Sequence, residues 1–204
     1  MRSNLDVHGI VAQAFDGART HKNCMGLNNG ALHRERSRQF VEQLRLGLIG
    51  QYSNLKNVRG FSKHIGGETL EFGMSELLYD VVVLEYDFTN SGRSDKELVY
   101  VTRALWLVES ELAANKREAL YDFNKLVIGN SENLLFVGPV LKSSIEHSDY
   151  LRVLGEAAKN CSGRLFLALI PRPSEWETAT RDMVTAWEWA GEKDKWVPLS
   201  RGSI

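Results

Sequence analysis

Apolar residues recur along the chain with two periods, and the change from one to the other marks the elements. Between residues 32 and 50, Phe40, Val41, Leu44 and Leu48 repeat every three to four positions with charged residues opposite, which predicts an amphipathic helix. The same period returns at Ala119, Leu120, Phe123, Leu126 and Val127, predicting a helix over 113–128 that ends at Gly129. A further helix is predicted over 148–160 and a short one over 7–18, ahead of the turn signal Asn28-Asn29-Gly30.

The strand signals have a different texture. Residues 76–88 and 97–111 are dense in Val, Leu and Tyr and are separated by Asn90-Ser91-Gly92, the pattern of an antiparallel hairpin. Their apolar runs are too continuous for a sheet with one wet face, so helices are expected on both sides. Leu134–Val137 and Arg164–Ile170 read as buried strands, and 183–199 as a closing hairpin that turns at 191–194. Segment 54–67 is polar and Gly-punctuated, an edge strand or a loop. Trp176, Trp187, Trp189 and Trp196 are expected to pack that terminal hairpin.

The order α-β-β-α-β-α-β plus hairpin predicts an α/β fold with a mixed central β-sheet flanked by helices. A chain of 204 residues fits one domain: a loosely organised extension over 1–30, a core over 32–137, and the hairpin over 183–199. No apolar run approaches the roughly 20 residues of a membrane span, and MRSNLDVHG has no apolar stretch behind its arginine. Cys24 and Cys161 are far apart with no ligand spacing, which argues against a disulfide framework or structural zinc. The cytoplasm is the expected compartment, with no membrane partner.

Net charge is −1, so the molecule as a whole has no basic signature. Charge is uneven, however. From Arg34 to Lys63 seven basic residues face only Glu35 and Glu42, a surplus of five. Arg34, Arg36 and Arg38 are the candidates to meet nucleic-acid phosphates, against the alternative of a solvated helix face.

The chemistry candidates are acidic. Asp80 sits in the apolar run of the first hairpin strand, and Glu109 and Glu111 end the second. Residues i and i+2 of a strand share a face, and buried carboxylates are costly unless paired or metal-bound. Three carboxylates on adjacent strands suit a hard divalent cation, magnesium or manganese, and such sites activate water against phosphodiesters.

These pieces resemble the PD-(D/E)xK nuclease superfamily: LLYD (77–80) on one strand, VESE (108–111) ending the next, then a helix carrying YDFNKL (121–126). The resemblance covers about residues 32–137 and is similar to uncharacterised bacterial members with an acidic-Ser-acidic strand end. It implies a restriction-endonuclease-like core, a metal held by Asp80 and Glu109, and Glu111 in the position usually held by lysine. No proline precedes Asp80, and the supporting lysine would come from the next helix, as Lys125 or Lys116. Glu42 is a candidate further acid. The function so implied is metal-dependent phosphodiester hydrolysis in nucleic acid. The alternative is a catalytically inactive protein of the same fold that binds nucleic acid or another protein.

Overall fold

A computed structural model describes residues 5–64, 78–92, 97–113 and 115–200. Residues 65–67 of the polar segment 54–67, Glu76 and Leu77 of the first hairpin strand and Ala114 of the predicted helix 113–128 lie outside the described residues. Among the described residues, four α-helices run α1 (Val7–Arg19), α2 (Asn29–Gly50), α3 (Lys116–Ile128) and α4 (Ser144–Ala158). Seven strands are described there: β1 (Val58–Ser62), β2 (Val81–Asn90), β3 (Glu97–Ser110), β4 (Asn133–Pro139), β5 (Arg164–Ile170), β6 (Thr185–Ala190) and β7 (Lys195–Pro198). They form one open sheet in chain order.

The sheet is mixed for a simple topological reason. β1, β2 and β3 pair antiparallel, β3–β4 and β4–β5 pair parallel, and β5, β6 and β7 pair antiparallel. The two parallel pairs are those whose connections carry α3 and α4, because a parallel neighbour needs a crossover. The starts of α1, α3 and α4 are fixed by side-chain caps, whereas Asn28 ahead of α2 makes none. Asp6 accepts from Gly9 N, Asn115 from Arg117 N and Ser143 from Glu146 N.

Each sheet face has its own core. Val81, Val83, Trp106, Val108, Leu135 and Phe166 pack under α1 and α2, while Val82, Leu84, Leu107, Leu134, Phe136 and Leu167 pack under α3 and α4. Alternation along each strand produces this split directly. The coverage expected for the first hairpin holds for its inner half only. Beyond Tyr86 the β2–β3 ribbon projects, and Phe88, Leu98, Tyr100 and Val101 are exposed.

The N-terminal residues depart from the loose extension expected. Val7, Val11, Phe15 and Ala18 of α1 are buried. Phe15 meets Trp176 edge-on at 5.1 Å between ring centroids, and His8 Nε2 lies 3.1 Å from Val184 O. Segment 7–24 is thus part of the core, tied to residues far along the chain. Trp176 accordingly packs against Phe15 and Phe40 rather than the terminal hairpin. Trp189 and Trp196 do pack that hairpin, as T-shaped partners at cross-strand positions. Among the described residues no helix is long and apolar enough to cross a membrane.

Candidate functional site

Strand register brings the two main acids to one end of the sheet. β2 begins at Val81, so Asp80 stands just ahead of the strand rather than inside it. Val81 pairs with Val108 and Val82 with Leu107, and one further step places Asp80 across from Glu109. Both are buried, Asp80 at 5% and Glu109 at 1% exposure.

Asp80 is well supplied with donors. Oδ2 accepts from the Ser110 backbone N–H at 3.0 Å and from the Ser110 hydroxyl, and Oδ1 pairs with Lys63 Nζ at 2.5 Å. Its backbone carbonyl accepts from Lys63 N, continuing the β1–β2 ladder by one rung. Lys63 was counted in the basic stretch only by its charge; its place at the end of β1 is what delivers it here.

Glu109 has the opposite condition. Oε2 accepts from Lys125 Nζ at 3.1 Å, and Oε1 is buried without a hydrogen-bond partner. Burial first, then the charge of Asp80, pushes its carboxyl up to about 8, further than Lys125 draws it down. Lys125 itself is held above the usual lysine range by Asp122, at 2.8 Å, and Glu109. The two effects pull in opposite senses on one contact, and burial decides for Glu109. The carboxylate is enclosed, whereas the ammonium is 35% exposed and shared with Asp122. Tyr79 adds a strut, its hydroxyl donating to Lys125 O at 3.2 Å and so tying the residue before Asp80 to α3.

Glu111 departs from its expected place. β3 ends at Ser110; the Glu111 N–H still bonds Val137 O at 2.9 Å, but its Oε1 accepts from Ala113 N at 2.6 Å, closing the turn toward α3. Its carboxylate contributes to the field around Tyr150 of α4. Glu42 pairs with the buried Arg45 and accepts from Ser62 Oγ. Lys116 pairs with Asp149. Among the described residues, no three His, Cys, Asp or Glu side chains converge as a metal-holding group. Asp80 and Glu109 each have a lysine of their own, one reaching from β1 and one from α3.

The arginines of α2 separate by helix periodicity. Arg34 and Arg38, four apart, line one opening of about 700 Å³ together with His33, Lys63 and His64. Arg36 points inward. It is 6% exposed, and its Nη1 donates to Pro173 O at 2.8 Å, so it is withdrawn from any phosphate contact. A second cleft of about 400 Å³ continues past His33, Lys63 and His64 to Ser110, Glu111 and Arg172. Burial and the neighbouring Lys63 and Arg38 lower the pKa of His64, which favours its neutral form.

Tyr79 and the Ser110 hydroxyl carry no sequence signal for the site, and Lys63 is marked in the sequence only as the last residue of the basic stretch expected to meet phosphates, not as a partner of Asp80. Comparison with known protein families, with characterised proteins and with solved structures gave no match.

Proposed function

We propose that this chain is a metal-dependent nuclease-like protein with a restriction-endonuclease-like core running from α2 to β4. The reading rests on one observation above all. A buried glutamate with one oxygen unpaired lies beside a second buried acid, and a helix lysine bonds its other oxygen. The order α2-β1-β2-β3-α3-β4, with the acids at the shared end of β2 and β3, supports it.

The donors suit a hard cation. Magnesium is commonly bound through one or two carboxylates and retains waters, and Asp80, Glu109 and the Ser110 carbonyl would be its protein ligands. A bound magnesium or manganese would polarise the phosphodiester and acidify the attacking water. Lys125 would take the part of the lysine displaced by Glu111, positioning a negatively charged oxygen through its exposed ammonium. Arg34, Arg38 and Lys63 would hold phosphates along the cleft.

A second reading has its own observation. Lys63 pairs with Asp80 and Lys125 bonds Glu109, so each acid already has a cationic partner within the chain, as in a nuclease fold kept for binding nucleic acid or a protein. The deciding experiment incubates the full chain with single-stranded, duplex and branched DNA and with RNA, in magnesium or manganese. Cleavage lost in both Asp80→Asn and Glu109→Gln supports the enzyme. Wild type that cuts none of them above the Asp80→Asn background removes catalysis and leaves the binding module.

A further inference from the structure

A third cavity, of about 370 Å³, lies beyond the acidic pair at the C-terminal ends of β4 and β5. Lys116, Leu141, Lys142, Glu146, Tyr150 and Arg172 line it. Parallel strands that end together leave a crevice there, a position where α/β sheets accept ligands. Arg172, in the turn after β5, also lines the cleft beside Ser110, so the two spaces share a wall.

Two polar atoms in this wall are buried and unpaired: Tyr150 Oη and Arg172 Nε. Tyr150 is 1% exposed, and an unsatisfied buried hydroxyl in such a place requires an explanation. Gly138 of β4 provides the room, since a Cβ there would fall 2.6 Å from Tyr150 Oη. Burial raises the Tyr150 pKa, so the phenol stays a donor. Arg172 and Lys142 form no ion pair among the described residues, whereas Lys116 is held by Asp149; Glu146 is the acid of the lining, and Glu111 in the adjoining cleft is near enough to act on Tyr150. The cavity also adjoins the first turn of α4, where backbone N–H groups favour an anion.

We propose that this cavity binds a phosphate monoester. Tyr150 Oη would donate to one oxygen, the Arg172 fork to a pair, and Lys142 would supply charge at the rim. The space admits a terminal phosphate with its sugar and excludes a duplex. A free nucleotide and the phosphorylated end of a strand present the same chemistry. The proposal requires no metal and stands apart from the nuclease reading.

The test measures binding of inorganic phosphate and of a nucleoside monophosphate to the full chain by calorimetry, without divalent metal. Wild type should bind both. Tyr150→Phe should weaken binding about tenfold or more, because a hydrogen bond to a charged group is lost. Its melting temperature without ligand should be no lower than wild type, since the hydroxyl has no partner to lose. Arg172→Gln should weaken binding at least as much. Tighter binding of a terminally phosphorylated oligonucleotide than of its hydroxyl-ended form identifies the strand end as the source; equal binding of the two identifies the free nucleotide. No binding by wild type, or unchanged binding in both variants, overturns the proposal.

Discussion

Lys125 Nζ lies 3.1 Å from Glu109 Oε2, yet this ammonium does not hold the carboxyl in its ordinary range, and Glu109 titrates at about 8. Enclosure outweighs the ion pair because only one of the two oxygens is served. The shift favours the protonated form at neutral pH, and any cation held there would have to displace that proton.

The same shift makes stability depend on pH with a definite sign. Glu109 binds its proton more tightly folded than unfolded, so between pH 4.5 and 8 the folded state holds more protons. Its contribution to stability is therefore full below pH 4.5 and is lost as pH rises through 8. Glu109→Gln removes this dependence. The variant should melt close to wild type near pH 4.5 and above it at pH values beyond 8, as scanning calorimetry will read.

Asp80 predicts a different pattern, since it accepts from Ser110 N, the Ser110 hydroxyl and Lys63. Asp80→Ala strands the half-buried Ser110 donors and leaves Lys63 without its partner, and should cost about 1–3 kcal/mol. Asp80→Asn keeps an acceptor oxygen and should cost less. Urea unfolding of the two variants checks the order.

Arg36 should behave as a structural residue. Arg36→Ala breaks the bond to Pro173 O and leaves a gap beneath α2, lowering stability by about 1–3 kcal/mol. Arg34→Ala and Arg38→Ala should leave stability within about 0.5 kcal/mol. In salt titrations of nucleic-acid binding, each of these two should reduce the slope by about 1 while Arg36→Ala leaves it unchanged.

The parts of the fold that were legible in the sequence are those in which neighbours along the chain share a face. β5 matches its apolar run from Arg164 to Ile170, the helix stripe Ala119, Phe123 and Leu126 is buried, and the terminal hairpin turns where its glycine stands. α1 gives a weak local signal because, besides packing on α2, it is anchored by Trp176 and Val184, more than 150 residues away. Asp80 and Glu109 stand at one sheet end and Lys125 reaches Glu109 from α3, whereas spacing groups the two acids with Glu111 and the resemblance offers Lys125 or Lys116. Arg36 was misplaced since two positions along a helix turn a side chain to the other face. Glu111 was misplaced because i and i+2 share a face only while the strand lasts, and β3 stops one residue short of it. Lys63 escaped notice as a partner of Asp80 because that pairing is a product of β1–β2 register, which composition does not encode.

Titration of manganese into the full chain at pH 7, in two buffers of different ionisation heat, tests the central claim most directly. If Asp80 and Glu109 form a cation site, the ion binds and about one proton leaves per ion, drawn from the Glu109 carboxyl that titrates at about 8. Asp80→Asn and Glu109→Gln should each abolish the binding. Manganese that does not bind wild type, or that binds Glu109→Gln with the same affinity and proton release, would rule out a cation site at Asp80 and Glu109.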